Sequence, residues 1–282
     1  MSREFRYVVA DVFTDTPLTG NQLGVFTDAR DLDDETMQNL ARELKFSETV
    51  FVLPPEADGH VRMRIFTPAL ELPFAGHPVL GTAFVLAQPL QLLEIRLETG
   101  RGTIPVRVER EGPRIVFGWM EQPVPEWRPY ERADELQRVL GVESSLPVDF
   151  YDLGPSHVYV AFPSGEAVAA LEPDIAALAD FGVGVNCFAW LGDGRVKTRM
   201  FAPAHGVAED PATGSAAGPL AVHLLRHGVT SSGDEIVIDQ GAEILRPSRL
   251  HAVAHGTPEA IERVEVGGSA VVVARGEFRL PG

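Results

Sequence analysis

The sequence predicts an α+β protein of two like halves, each a set of strands built around one buried helix. Short runs with apolar residues at every second position dominate the chain, and only a few stretches are apolar on nearly every face over a helical length. An ordered pair of segments also occurs twice: Val61-Arg62-Met63-Arg64-Ile65-Phe66-Thr67-Pro68 resembles Val196-Lys197-Thr198-Arg199-Met200-Phe201-Ala202-Pro203, and His77-Pro78-Val79-Leu80-Gly81-Thr82-Ala83 resembles Asp210-Pro211-Ala212-Thr213-Gly214-Ser215-Ala216. The length of 282 residues suits two domains, or one large one, with ample core, and 45% hydrophobic against 23% charged residues is a globular composition.

Taken in order, Tyr7 to Phe13 alternates and runs into the turn-rich Thr14-Asp15-Thr16-Pro17-Leu18-Thr19-Gly20. Asp31 to Leu44 spaces Leu32, Met37, Leu40, Ala41 and Leu44 as a helix, with Asp33, Asp34 and Glu35 at the end where the helix dipole favours negative charge. Glu48 to Leu53 and Val61 to Phe66 are strands. Val79 to Ala87 is apolar on nearly every face, as a buried central helix requires. Strands follow at Leu92–Glu98, Gly102–Glu109 and Arg114–Trp119. The second half replays this order: a strand ending at Phe162, a helix over Leu171–Phe181, strands at Cys187–Leu191 and Val196–Phe201, and a second buried helix over Ala216–Leu225. Strands at Glu235–Asp239 and Ile261–Ala274 close the chain. Pro-rich Gln122–Pro129 is the candidate linker, which divides the chain into halves 1–120 and 121–267. The last strand, about 268–282, either stays with the second half or returns to the first.

With 24 Lys plus Arg against 40 Asp plus Glu, the formal charge is −16. That charge repels phosphate backbones and anionic membrane surfaces, so neither nucleic acid nor a membrane is an expected partner. No apolar run approaches the roughly 20 residues of a membrane span, and no export signal is expected in the charged start. A single cysteine, Cys187, excludes an intramolecular disulfide and a cysteine zinc cluster. The expected compartment is the cytoplasm.

Chemistry is expected at the two helix starts. Each is a small-residue loop whose free backbone N–H groups and positive dipole end suit an anion. Pro78 and Pro211 fit a first turn, where the missing N–H costs nothing, and Gly76, Gly81 and Gly214 let a ligand approach the backbone closely. Pro219 lies inside the second helix and should kink it. Two such termini facing each other across a cleft would hold a small anion such as a carboxylate. His77 stands in one loop and Asp210, with Glu209 beside it, in the other; an imidazole and a carboxylate there could orient and protonate a substrate. The bland alternatives are a capping or buried hydrogen-bonded His77 and a plain N-cap at Asp210. Glu48 sits where the polar turn Phe46-Ser47 enters an apolar strand, a place where a carboxylate could be raised in pKa to act as a general base; the alternative is an exposed edge carboxylate.

Other patterns fail. His223 and His227 have the spacing of a zinc-protease pair, but Leu224 replaces its Glu, and a solvated helix end is expected. His251 and His255 have no accompanying carboxylate ligand. There is no third glycine after Gly182-Val183-Gly184, no phosphate-binding Gly-Lys-Ser/Thr loop and no Gly-x-Ser-x-Gly elbow.

Asp11-Val12-Phe13-Thr14-Asp15, Gly20-Asn21, Ser47-Glu48-Thr49, Pro73-Phe74-Ala75-Gly76-His77-Pro78 and Glu209-Asp210-Pro211-Ala212-Thr213-Gly214-Ser215-Ala216 resemble the phenazine-biosynthesis PhzF-like family, as do Gln240-Gly241, Arg246-Pro247-Ser248 and Gly267-Gly268-Ser269-Ala270. The resemblance spans the whole chain. It implies the diaminopimelate epimerase-like fold: two pseudo-symmetric halves, each a barrel-like, mostly antiparallel sheet around a central helix, with the site between them. It further implies Glu48 as acid/base, His77 and Asp210 as orienting and proton-assisting groups, Gly214 and Ser215 as carboxylate ligands, and Ser47 and Asn21, with Gly76, as pocket lining. The implied activity is isomerisation of trans-2,3-dihydro-3-hydroxyanthranilate by a metal- and cofactor-free hydrogen shift in a homodimer. Gln22-Leu23-Gly24 departs from the family's common Gly-Asn-Pro-hydrophobic run and reshapes the pocket rim. The related racemases use one cysteine in each loop; here the loops contain none, so two-thiol chemistry is excluded. The competing class is a non-enzymatic small-molecule binding or interaction protein on the same scaffold.

Overall fold

The computed structural model describes residues 2–281. In chain order its elements are β1 (Ser2–Val12), β2 (Asn21–Phe26), α1 (Asp34–Leu44), β3 (Glu48–Leu53), β4 (Val61–Phe66), β5 (Glu71–Leu72), α2 (Gly76–Leu90), β6 (Glu94–Thr99), β7 (Gly102–Glu111), β8 (Arg114–Gln122), β9 (Glu126–Pro129), α3 (Ala133–Leu140), β10 (Asp149–Asp152), β11 (Ser156–Ala161), α4 (Gly165–Ala169), α5 (Ile175–Ala179), β12 (Gly184–Gly192), β13 (Arg195–Ala202), β14 (Val207–Asp210), α6 (Gly214–Arg226), β15 (Glu235–Gln240), β16 (Ser248–Gly256), β17 (Ile261–Gly268) and β18 (Ala270–Pro281). The fold is α+β. Its contacts divide it into two compact units, Met1–Glu121 with Gly267–Gly282, and Gln122–Val266.

In the first unit the strands pair in the order β18–β1–β2–β3–β4–β6–β7–β8. The successive senses are antiparallel, antiparallel, parallel, antiparallel, parallel, antiparallel, antiparallel. In the second, β9–β10–β11–β12–β13–β15–β16 pair with the same first six senses. The short strands correspond as well: β5 lies antiparallel on β4, and β14 antiparallel on β13. Parallel neighbours cannot be joined by a tight turn, so each parallel step contains a helix. Those helices are α1 and α2 in one unit, and α4–α5 and α6 in the other. The double segment in the sequence is thus β4 leading to α2 and β13 leading to α6.

Helix α2 is buried along most of its length and touches β1, β2, β3, β6, β7 and β18. Gly81 lets it lie that close: a Cβ there would come within 2.6 Å of Leu23 and 2.7 Å of Val12. Helix α6 is buried from Gly214 to Leu225 and packs on β11 and β16. The amphipathic α1 covers the outer face of the first sheet over Phe26, Phe51 and Phe66; in the second unit α3, α4 and α5 cover Val158, Val160, Val185 and Cys187. At about 25 cal/mol per Å² of apolar surface removed from water, the covered faces and the buried central helices both stabilise each unit.

Several expectations are corrected. The helix expected over Leu171–Phe181 is only the short α5, which begins after Pro173; α4 ends at Ala169, before that range, and Pro173 cannot continue a helix. Asp174 caps α5 by accepting from Ala177 N (3.0 Å). The guanidinium of Arg199 donates to the carbonyls of Val168, Ala169 and Leu171, at and just beyond the end of α4. The single strand expected over Ile261–Ala274 divides at Ser269, whose carbonyl accepts from Phe13 N (2.8 Å) and Thr14 N (3.2 Å). Gln122–Pro129, the candidate linker, contains strand β9, paired with β10. Pro211 is not in a first turn, because α6 begins only at Gly214.

Candidate active site

At the head of α2 in the first unit, three polar side chains meet. Asn21 opens β2, Glu48 opens β3, and His77 is the second residue of α2. The parallel register sets Leu23 opposite Glu48, so Asn21 lies two residues upstream on the same face. Asn21 Nδ2 lies 3.3 Å from His77 Nδ1, and His77 Nε2 lies 3.4 Å from Glu48 Oε2. That last contact is longer than an aligned hydrogen bond; such spacings commonly tighten when a substrate arrives. The His77 side chain is 4% exposed and that of Glu48 15%. Burial pushes the His77 pKa down from 6.5 to about 3, against a smaller opposing contribution from the Gln22 backbone. The imidazole is therefore neutral at physiological pH, and it sets no fixed cation beside the carboxylate. Gly76 is the first, buried residue of α2, and Ser47 is half-buried next to Glu48.

The second unit assembles a different set at the head of α6. Asp210 ends β14, and its Oδ2 accepts from Thr213 Oγ1 (2.6 Å), the residue that precedes the helix. Gln240, at the end of β15, donates to Asp210 O (2.8 Å) and Thr213 Oγ1 (3.0 Å), and accepts from Thr213 N (3.3 Å). Gln122 Nε2 donates to Gly214 O at 2.8 Å. Gly214 and Ser215 are the first two residues of α6, where backbone N–H groups have no acceptor within the helix. Asp210 therefore belongs to the loop before the helix, and the residue standing where His77 stands on α2 is Ser215. Glu209 takes no part in this group; it forms a two-pronged ion pair with Arg199 (2.9 and 2.8 Å).

Sequence reasoning missed His157, Asn186, Gln122 and Gln240 as structural members of this site. The signal for the first two was a buried polar residue at an inward position of an otherwise apolar strand, in Val-Tyr-flanked Ser156-His157-Val158 and in Val185-Asn186-Cys187. The expected solvated helix end at His223 and His227 is also corrected. His223 is fully buried among Tyr151, Tyr159 and Phe188 and stacks on Tyr159 at 5.5 Å. With Asp149 these two histidines could form a three-ligand metal group. Arg226 already lies 2.8 Å from Asp149 Oδ2 and 2.9 Å from the Tyr151 hydroxyl, so this donor set carries its own counter-cation.

The first unit thus pairs a carboxylate with a neutral imidazole, the equipment for moving a proton, and the second offers open amides and a hydroxyl, the equipment for holding an anion. This is the outfit of an isomerase on an epimerase-like scaffold. The chain belongs to the family described as "Phenazine biosynthesis-like protein", whose profile matches residues 10–276. It is 50% identical to the trans-2,3-dihydro-3-hydroxyanthranilate isomerase of Pseudomonas aeruginosa over 98% of this chain and 99% of the relative. It is 48% identical to the Pseudomonas fluorescens protein of the same name over 97% and 99%. A Bacillus anthracis phenazine biosynthesis protein of the PhzF family shares its fold with a TM-score of 0.85 at 25% identity, over 98% of this chain and 99% of that one. A hydroxyproline epimerase from Agrobacterium vitis shares the fold at a TM-score of 0.66 and 14% identity, over 99% and 93% of the two chains. With relatives this similar along its whole length, the chain is an isomerase, and the non-enzymatic alternative gives way. No helix among the described residues is long and apolar enough to cross a membrane.

Proposed function

We propose that the protein isomerises a small carboxylate-bearing metabolite of the trans-2,3-dihydro-3-hydroxyanthranilate kind by moving one carbon-bound hydrogen, with Glu48 as the acid/base and no metal or cofactor. The observation that carries this reading is the buried contact of Glu48 Oε2 with His77 Nε2 at 3.4 Å. In the first step a C–H bond breaks, its proton passes to a Glu48 oxygen, and the electron pair enters the conjugated system of the substrate. In the second step the protonated Glu48 returns that proton to a different carbon. Atoms and electrons balance without an oxidant. Neutral His77, held by Asn21, orients the Glu48 carboxyl and exchanges a hydrogen bond with it as its protonation changes. Asp210 orients the substrate's polar group. Gly214 N–H, Ser215 N–H and the Ser215 hydroxyl bind its carboxylate, and Gly76 and Ser47 line the pocket. Fixed donors of this kind stabilise developing charge without having to reorganise.

The names of the half-identical relatives support the substrate class. Glu48→Gln tests the reading: it keeps shape and hydrogen bonding but cannot take a proton. Turnover of trans-2,3-dihydro-3-hydroxyanthranilate should vanish, and with it deuterium uptake from solvent, while the melting temperature holds. Full turnover in that variant overturns the role. Activity should also survive dialysis against EDTA; loss on chelation with recovery on adding metal overturns cofactor independence.

A further inference from the structure

Ser215 can meet a ligand in two opposite ways, since a hydroxyl both donates and accepts. Its oxygen lies 3.1 Å from His157 Nε2, a buried contact between side chains 58 residues apart. The direction of the bond depends on which nitrogen of His157 carries the proton, and Asn186 decides that. The Asn186 amide nitrogen faces two backbone carbonyls, Val158 O at 3.2 Å and Gly184 O at 3.4 Å, which only an NH2 group can satisfy. The same nitrogen lies 3.4 Å from His157 Nδ1. An amide nitrogen accepts no hydrogen bond, so a proton on Nδ1 would face Asn186 without an acceptor; the proton of the neutral ring therefore sits on Nε2 and points at Ser215 Oγ. The ring lies close against Gly184, its partner across the parallel pair, where a Cβ would come within 2.7 Å of His157 Nδ1.

We propose that His157 is the positioning residue that makes Ser215 a donor, so that its hydroxyl proton points at an anionic oxygen of the substrate. Burial holds the His157 pKa near 3, so the ring stays neutral and keeps this assignment at physiological pH. With the oxygen of Ser215 occupied by His157 Nε2–H, its own proton has one use left, and it joins the Gly214 and Ser215 amides as a third donor. Three donors and no free acceptor favour a carboxylate over an uncharged carboxamide, whose NH2 would face a donor. This selectivity rests on the reading of Ser215 as a carboxylate ligand; the tautomer does not.

Two measurements on the full-length protein decide it. In the first, 15N-histidine NMR should show His157 with a protonated Nε2 and a bare Nδ1 across neutral pH. An Nδ1–H ring, or one that titrates near neutrality, overturns the inference whatever the enzyme's activity. In the second, calorimetry compares 2-aminobenzoate with 2-aminobenzamide. Ser215→Ala should cut the carboxylate preference by roughly tenfold or more, the scale of a hydrogen bond to a charged group. His157→Leu should do nearly the same, His157→Gln should restore most of it through its amide donor, and His157→Leu should change the preference less than about twofold once Ser215 is Ala. Independent, additive losses, or a His157→Gln no better than His157→Leu, overturn it. If wild type shows no carboxylate preference, Ser215 is not a carboxylate ligand and the inference falls with that reading. If Glu48→Gln keeps its turnover while both measurements hold, only the acid/base assignment falls.

Discussion

At the head of its buried helix the first unit gathers Asn21, Glu48 and His77; at the same place the second gathers His157, Asn186 and Ser215. Each trio takes one residue from each of two parallel strands and one from the second position of the helix. The register relation is also shared: Asn21 lies two residues before the partner of Glu48, and His157 two residues before the partner of Asn186. Both trios contain a buried His whose Nδ1 faces an Asn amide, and both imidazoles are pushed down to about 3 by burial. The difference lies in what Nε2 meets, a carboxylate in one unit and a hydroxyl in the other. A doubled scaffold can thus keep its geometry and divide its chemistry, one head suited to moving a proton and the other to holding charge.

A second pair makes the same point in the framework. Arg64 on β4 forms a two-pronged bond to Glu71 on β5 (2.7 and 2.6 Å), and Arg199 on β13 does so to Glu209 on β14 (2.9 and 2.8 Å). The first pair is 16% and 41% exposed, the second 9% and 11%. The same clamp sits at the surface in one unit and inside the other, where it anchors the strand leading to Asp210.

The largest effect should come from the head that holds Glu48, the proposed acid/base. Glu48→Gln should lower kcat by about 10²–10⁴-fold, the span of general acid–base catalysis, whereas Asn186→Leu should act mainly on KM; a reversed pattern breaks the division of labour. Next, Arg199→Met leaves Glu209 buried without its partner and should cost about 3–5 kcal/mol in urea unfolding, while Arg64→Met, at a solvent-screened pair, should cost about 1 kcal/mol or less. Equal costs would erase the distinction in burial. Gly184→Ala crowds His157 and should destabilise by about 1–3 kcal/mol, with a weakened carboxylate preference as its signature. The last effect is in pH and is felt only in acid. His77 and His157 have folded pKa values of about 3 against 6.5 when free, so the unfolded chain binds protons that the folded one refuses. Stability is therefore full above about pH 6.5 and falls as pH drops toward about 3, by up to ~1.4 kcal/mol per pH unit for each His. His77→Gln and His157→Gln should each flatten that fall by a similar amount; flattening by only one would show that the two rings differ.

Much of this was legible in the sequence because it is local. The strands Glu48–Leu53 and Val61–Phe66 and the two buried helices follow from periodicity, and the runs around Glu48, His77 and Asp210 carry the family likeness. What was hidden depends on contacts distant in sequence. The motif match set His77 against Asp210, but α6 starts four residues after Asp210, so the head-of-helix position belongs to Ser215. His157 and Asn186 read as single polar interruptions in apolar strands, and only the register of β11 with β12 brings them together. His223 read as solvated because the aromatic side chains that cover it come from β10, β11 and β12. Pro173, by contrast, is a local signal that a helix cannot run unbroken across Leu171–Phe181.

The antiparallel seam of β1 with β18 runs from Ser2 opposite Pro281 to Val12 opposite Ala270. β1 must therefore wait until β18 has been made before that edge is covered, whereas residues 122–266 form a continuous unit that can be completed first. Nascent chains stalled just after Val266 should accordingly protect the second unit from protease and leave the first open, its long β1 edge exposed to any strand that would pair with it.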